Sequence, residues 1–141
     1  MQFSSRLSIA THILLVIEVF KNQQKITSEF IAGSVGVNPV IIRNILGQLK
    51  SAGLVEIAAG VGGANLTKSP DQITLLDIFH AVEADENLFR LHENPNPNCL
   101  VGKNIHGILE GKLDKVKKTA EFELNSVSLQ SLLDSLPTQD K

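Results

Sequence analysis

Two short helical segments, each marked at both ends, constrain the fold of this chain more than any other feature. Thr27 is a good N-cap for the first segment, and Gly36 fits the left-handed position just past its end. Asn38 and Pro39 open the second segment as N-cap and first helical residue, and Gly53 follows its end. Two short helices joined by a turn of about three residues predict a helix-turn-helix.

The second helix of this motif has an apolar and a polar side. Its buried stripe is predicted from residues at helical spacing: Ile42, Ile45, Leu46 and Leu49. The other faces keep a mostly polar set: Asn38, Val40, Arg43, Asn44, Gly47 and Gln48. In helix-turn-helix proteins the second helix enters the DNA major groove, with its N-terminal residues foremost. The pattern therefore favours a DNA-binding face on this helix.

Individual roles on DNA follow from side-chain chemistry. Three side chains are predicted to hydrogen-bond base edges: Arg43, Asn44 and Gln48. Arginine prefers guanine, whereas asparagine and glutamine prefer adenine. Val40 is predicted to touch a thymine methyl group, and Asn38 with Pro39 to place the helix N-terminus against a phosphate. The alternative for each residue is a solvated surface position.

Three glycines lie within four positions of residues 56–70, EIAAGVGGANLTKSP. A dinucleotide-binding loop requires G-x-G-x-x-G between a strand and a helix, and a P-loop requires G-K-[ST]. Here the third glycine of the first pattern is missing, and no G-K-[ST] is present. LVEIA and ANLTK instead flank the glycines as two short strands, and glycine permits the positive φ of a tight hairpin. We therefore expect a β-hairpin and not a nucleotide-using enzyme.

A hairpin directly after a helix-turn-helix is typical of a wing beside the recognition helix. Gly62 and Gly63 are predicted to let the main chain approach phosphates, where amides can donate. Lys68 is predicted to follow the wing onto DNA. The alternative is a plain hairpin that touches nothing.

Two further helices are expected around this motif. The first covers about residues 5–21, capped by Ser4 or Ser5, with apolar residues at three- and four-residue steps. The other begins at Thr74, which is predicted to form a capping box with Asp77, and ends near residue 83.

A proline- and asparagine-rich linker, residues 92–99, precedes a long helix predicted from near Leu100 to about Leu124. A narrow apolar stripe with flanking Lys and Glu is typical of helix pairing; it consists of Ile105, Ile108 or Leu109, Leu113, Val116, Ala120 and Leu124. Ser126 is predicted to cap a last amphipathic helix that holds Val127, Leu129, Leu132, Leu133 and Leu136.

Composition and charge narrow the function classes. The chain has 141 residues, 43% of them hydrophobic and 20% charged, which fits one ordinary globular domain. Residues 1–73 carry six basic against four acidic residues, and residues 74–141 carry seven against eleven, which weakly favours a nucleic-acid face at the front. The longest apolar run, residues 13–17, is far below the roughly 20 residues of a membrane span. With no secretory signal evident, we expect a cytoplasmic protein without a membrane partner.

The stretch NPVIIRNILGQLKSAGLVEIAAGVGGANLTKSPDQITLLDIFHAVE resembles the Rrf2 family of bacterial transcription regulators. That family shows L-x-x-A-G-L-V after the recognition helix, then R-G-x-G-G-G-Y, then a short helix near L-x-D-I-x-x-A-V-E. The matching residues are Leu49, Ala52, Gly53, Leu54, Val55, Gly60, Gly62, Gly63, Leu75, Asp77, Ile78, Ala81, Val82 and Glu83. The resemblance covers nearly the whole chain.

The resemblance implies a mainly α fold with a small β-hairpin: a winged helix-turn-helix head plus a long dimerisation helix that crosses its twin. It implies a homodimer on a near-palindromic operator of double-stranded DNA, and repression is the commoner role in relatives. Two heads related by a twofold axis would meet two half-sites about a helical turn apart. Ser5 and Arg6 match positions that meet the DNA backbone in relatives.

The chain departs from the family pattern in the wing and in the linker. The wing arginine is Ala59 and the wing aromatic is Asn65. Cluster-binding members carry three cysteines in the linker, whereas this chain has only Cys99. Since an iron–sulfur cluster normally requires four ligands, mostly thiolates, we expect no cluster, no other cofactor and no metal.

Two interpretations of Cys99 stay open. At the start of a helix, near Lys103, a thiolate is favoured and is readily oxidised, so that Cys99 would be a redox sensor that releases DNA. The alternative is a small packing residue. His92 and His106 lie seven residues to either side, at a spacing that matches no common zinc pattern.

We expect four parts: residues 1–84 as the winged helix-turn-helix domain, 85–98 as a linker, 99–136 as the dimerisation and C-terminal helices, and 137–141 as a tail. The expected function is a dimeric, sequence-specific DNA-binding regulator, a repressor responsive to thiol redox state or to a small molecule. The alternative is a winged-helix module that binds protein without DNA. The effector is not indicated by the sequence.

Overall fold

The computed structural model describes residues 4–59, 63–83 and 88–137. Six α-helices and one hairpin follow in the order α1 (Arg6–Phe20), α2 (Ser28–Val35), α3 (Pro39–Ser51), β1 (Val55–Ile57), β2 (Ala64–Leu66), α4 (Leu75–Val82), α5 (Leu100–Asn125) and α6 (Leu129–Asp134). A single 3₁₀ turn, Pro70–Gln72, lies between β2 and α4. The mainly α fold with a small β-hairpin is therefore confirmed.

The helix-turn-helix has the caps that its sequence predicts. The Thr27 side chain accepts from the amide of Phe30 at 3.2 Å, and Gly36 follows α2 at φ 82°. Asn38 accepts from the amide of Val40 at 2.8 Å, with Pro39 at the first helical position. The chain turns by 109° between α2 and α3, within the range typical of this motif.

One apolar core holds the head together. α1, α3 and α4 pack against one another, and α2 packs on α1 and α3. The four predicted residues of the α3 stripe are buried, which leaves the opposite side of that helix outside the core. The fully buried large side chains are Ile13, Leu14, Ile17, Ile31, Ile42, Ile45, Leu49, Ile73, Ile78, Leu129, Val55 and Val82.

The hairpin begins directly from the end of α3. The amide of Leu54 donates to the carbonyl of Leu49 at 3.0 Å, after Gly53 has reversed the chain at φ 78°. β1 and β2 pair antiparallel in the register Val55↔Leu66, Glu56↔Asn65 and Ile57↔Ala64. The predicted strands are thus present but shorter than LVEIA and ANLTK.

α4 begins with the predicted capping box. Thr74 accepts from the amide of Asp77 at 3.2 Å, and the Asp77 carboxylate accepts from the amide of Thr74 at 3.0 Å. The same stretch pairs with the far end of the chain through an antiparallel bridge between Thr74 and Ser128.

The prediction that Ser126 caps the last helix is wrong. α5 runs one residue further than expected, to Asn125, and Ser126 is its C-cap. Residue 127 is then drawn out of any helix because its carbonyl accepts from the amide of Leu75 at 3.0 Å. Ser128 caps α6 instead, accepting from the amide of Ser131 at 3.1 Å, and Leu136 lies beyond the end of that helix at Asp134.

α5 is a 26-residue helix, about 39 Å long at 1.5 Å per residue. It packs along α4, yet none of its residues, all within the described range 88–137, is buried in the single chain. Large apolar side chains stay exposed along it: Leu100, Val101, Ile108, Val116 and Phe122.

Across the described ranges, no single helix has the length and apolar character needed to cross a bilayer. α2 and α3 meet the criterion only when counted together across their bend.

Candidate nucleic-acid interface

The outward side of α3 is exposed along most of its length. Asn38, Val40, Arg43 and Asn44 are exposed, and Gln48 is half-buried at the edge facing α1 and α4. Val40 presents 51% of its surface and the neighbouring Ile41 40%, although Ile41 was not singled out by the sequence pattern. Gly47 has open space above it. This side therefore offers a ridge of mixed polar and apolar groups of the size that a major groove admits.

The N-terminus of α3 is already capped from within. The Asn38 side chain accepts from the amide of Val40 at 2.8 Å, and the Asn38 carbonyl accepts from the amide of Ile41 at 3.0 Å. Pro39 has no amide hydrogen to give. Asn38 and Pro39 thus fix the direction of the helix and leave its partial positive charge pointing outward, which attracts a phosphate without a donated hydrogen bond from these positions.

Arg43 is joined to α2. Its guanidinium lies 3.4 Å from the Glu29 carboxylate, with the two side chains 54% and 71% exposed. An exposed pair of this kind is worth about 0–1 kcal/mol, so DNA can displace it at small cost. The sequence does not indicate this contact, because no local pattern shows that residues 14 positions apart on different helices meet.

Arg6 and Gln48 are brought together by the fold. The Arg6 guanidinium donates to the side-chain oxygen of Gln48 and, through Nε at 3.1 Å, to the carbonyl of Val82. Both contacts are part-buried. Ser5, beside it, is exposed at the start of α1 and its side chain makes no capping hydrogen bond within the described part of the chain; Ser4 accepts from the Arg6 amide at 3.1 Å instead.

The wing residues have different surroundings. Gly63 lies against the main chain of Ile26, where a Cβ would sit 3.1 Å from the Ile26 nitrogen, and the amide of Ala64 donates to the Ile26 carbonyl at 3.1 Å. Close packing of the wing on the segment before α2 therefore explains this glycine. Lys68 is exposed just after β2. Gly62 lies outside the described residues.

Cys99 is exposed at the N-cap of α5. The nearby amides of Gly102 and Val101 lower the pKa of its thiol, and slight burial opposes them. The thiol itself makes no capping hydrogen bond of ordinary geometry to the described residues, so the amides act on the sulfur electrostatically. The preceding loop fits tightly over the helix: a Cβ on Gly102 would lie 2.4 Å from the Asn96 carbonyl oxygen.

His92 and His106 are brought together where the linker meets α5. Their ring centroids are 5.5 Å apart, edge to face, and Nε2 of His106 lies 2.7 Å from the His92 carbonyl oxygen. That ring nitrogen is therefore engaged with the main chain. Among the described residues no three His, Cys, Asp or Glu side chains are grouped to hold a metal ion.

These elements define the fold of winged helix-turn-helix DNA-binding proteins. Residues 3–135 match the sequence model of the Rrf2 family, described as an iron-dependent transcriptional regulator. The chain belongs to this family, which is one of transcriptional regulators and not of enzymes.

Relatives and solved structures agree with this assignment. The protein is 44% identical over 133 residues to YwnA of Bacillus subtilis strain 168, which is named as an HTH-type transcriptional regulator; the match covers 94% of this chain and 98% of YwnA. A crystal structure of a protein described as DNA-binding superposes with TM-score 0.75 at 38% identity, over 92% of this chain and 99% of the other. CymR, the global cysteine regulator of B. subtilis, shares the fold with TM-score 0.72 at 20% identity, over 97% and 99%.

The iron in the family description does not fit the donor set of this chain. A cluster of the usual kind requires four ligands, mostly thiolates, and the chain has one cysteine. Within the described ranges, Cys99 is not part of any group of three or more His, Cys, Asp or Glu side chains that could hold a metal ion.

Proposed function

We propose that this protein is a homodimeric, sequence-specific DNA-binding repressor that reads DNA with the outward side of α3. The observation that carries the proposal is the exposure of Val40, Arg43 and Asn44. α4 packs against α3 while these three residues stay exposed, and α5 and α6 make their main contacts with α4, α1 and the 3₁₀ turn. The later helices therefore leave this side of α3 accessible.

Base recognition is assigned to side chains near the middle of that side. Arg43 has the planar fork that matches O6 and N7 of guanine, and Asn44 has the amide that matches adenine. Val40 and the adjacent Ile41 offer apolar contact for thymine methyl groups. Lys68, Ser5 and the wing around Gly62 and Gly63 are assigned to the DNA backbone.

Dimerisation is assigned to α5. Although α5 packs along α4, none of its 26 residues is buried in the single chain, and most helix stability in proteins comes from burial of an apolar face. Ile108 is 60% exposed and Val116 48% exposed, both on the predicted stripe. A second copy of α5 crossing the first covers these residues and places two heads on a near-palindromic operator.

The division of roles stays as the sequence suggests. Residues 1–84 form the DNA-binding domain, 85–98 the linker, 99–136 the dimerisation and C-terminal helices, and 137–141 the tail. α6 also contributes to the core of the head, because its residue Leu129 is fully buried there.

Cys99 is the proposed signal input, and the chain holds no iron–sulfur cluster. Its exposure and lowered thiol pKa both favour the reactive thiolate. A hydroperoxide transfers an oxygen atom to the thiolate, which becomes a sulfenic acid, and is itself reduced to water or an alcohol. Condensation of the sulfenic acid with a second thiol, either Cys99 of the other subunit or a small thiol, then releases water and forms a disulfide. A Cys99→Ser protein that leaves the operator under mild oxidant as the parent does would remove Cys99 from this role.

Selection of binding sites from random duplexes tests the proposal. We expect enrichment of a near-palindrome, with an affinity for it that falls steeply as salt rises, because bound phosphates release counterions. Enrichment of no sequence, together with a salt-independent affinity for a protein partner, would favour the protein-interaction alternative.

A further inference from the structure

The guanidinium of Arg6 joins the end of α4 to the recognition helix. Its Nε donates to the carbonyl of Val82, in the last turn of α4, where carbonyls lack helical partners and the partial negative charge favours a cation. A terminal nitrogen of the same guanidinium donates to Gln48 on α3. Arg6 is therefore held at one end by main chain and directs its other end at a side chain of the candidate interface.

This contact decides which way the Gln48 amide faces. A guanidinium has five donors and no acceptor, so the Gln48 atom next to Arg6 must be the amide oxygen. The amide nitrogen then occupies the opposite branch of the group. Glutamine recognises adenine by accepting from N6 and donating to N7 at once, which requires both branches.

We propose that Arg6 is a positioning residue that makes Gln48 a donor-only reader of DNA. The Gln48 oxygen has two lone pairs, but one of them accepts from Arg6 and the guanidinium stands beside that branch, so we assign the contact with DNA to the NH₂ branch, for which guanine offers two neighbouring acceptors, O6 and N7. The proposal rests on the proposed function. It replaces the expected adenine preference of Gln48 with a guanine preference, and it replaces the expected phosphate contact of Arg6 with a contact inside the protein.

Four variants test the assignment on the selected operator: Arg6→Ala, Arg6→Lys, Gln48→Ala and the double variant Arg6→Ala with Gln48→Ala. Gln48→Ala first identifies the base pair at which its sequence preference is relaxed. Affinities are then measured for four duplexes that carry each of the four possible base pairs at that position. We expect the parent to favour guanine there by about fivefold or more, and both Arg6 variants to shift the preference toward adenine. The double variant should match Gln48→Ala alone. Lysine keeps the charge but lacks the planar fork that spans two acceptors, so Arg6→Lys should lose the guanine preference as Arg6→Ala does.

A phosphate contact gives the opposite pattern. Arg6→Ala would then weaken all four duplexes equally and reduce the slope of log affinity against log salt by about 0.9 for each subunit of the dimer, and Arg6→Lys would restore both. That result overturns the proposal. If the parent enriches a sequence and the Arg6 variants keep the parent's ratio of affinities for guanine and adenine, the positioning role alone is overturned. If the parent enriches no sequence, the proposed function is overturned as well. Lys21→Ala, an exposed cation at the other end of α1, serves as the control and should change none of these quantities.

Discussion

The amide of Leu129 donates to the carbonyl of Ile73 at 2.7 Å, so the last helix of the chain begins on the head. Both residues are fully buried. The bridge between Thr74 and Ser128 continues this pairing. α5 is consequently fastened to the head at its C-terminal end as well as along α4. The proposed dimer, built on α5, would therefore fix the positions of the two recognition helices.

Leu129→Ala should lower the free energy of unfolding by about 2–5 kcal/mol, because it empties a fully buried site in the core of the head. Urea denaturation followed by circular dichroism measures the change. Leu136→Ala removes the same atoms from a side chain that is 47% exposed and should cost about 0.5 kcal/mol or less. Equal effects of the two substitutions would show that α6 is not part of the core.

Val116→Asp should convert the proposed dimer to monomers, since it places a carboxylate on the stripe where two copies of α5 are proposed to meet. Sedimentation velocity gives the mass directly. Lys118→Asp is the matched control, because residues two apart lie on opposite sides of a helix and Lys118 is 76% exposed. A parent that sediments as a monomer at all concentrations would contradict the assigned role of α5.

Arg43→Ala should weaken binding to the selected operator by about 1–3 kcal/mol and relax the preference at one base pair of each half-site. Fluorescence anisotropy titrations on single-base variants of the operator measure both effects. Lys21→Ala removes a cation of similar exposure from the C-cap of α1 and should leave the preference intact. Unchanged affinity in Arg43→Ala would remove this residue from the interface.

Alkylation of Cys99 should reach its maximal rate at a lower pH in the folded protein than in denaturant. The amides at the start of α5 lower the thiol pKa only when the helix is formed, so the reactive thiolate is present at lower pH in the folded state. Because the chain has one cysteine, mass spectrometry of iodoacetamide-treated protein reports this residue alone. Identical pH profiles in both states would contradict the helix effect.

Local signals in the sequence were sufficient for most of the fold. The caps at Thr27, Asn38 and Thr74 depend on neighbouring residues alone, and all three form as the sequence predicts. The error at Ser126 has a different origin. Ser126 and Ser128 are equally good caps by type, and the choice is made by pairing with residues 73–75, which a local pattern cannot show.

In the candidate site, too, local patterns predict some features, whereas others depend on contacts between distant parts of the chain. Which side of α3 faces outward follows from helical periodicity, and the structure agrees for every residue of the buried stripe. The contacts of Arg6 with Gln48 and of Arg43 with Glu29 join different helices, so they required the fold. Gly63 shows the same limit: its close approach to the main chain of Ile26 joins two segments that a local pattern cannot relate, while its approach to phosphate stays a prediction.

The central claim is that the outward side of α3 contacts duplex DNA. Amide chemical shifts of isotope-labelled protein, followed by NMR during titration with the selected duplex, test it most directly. We predict that the largest changes fall on residues 38–48 and on the hairpin, with smaller changes on α6. Changes confined to α5, with the resonances of α3 unmoved at saturation, would contradict the account.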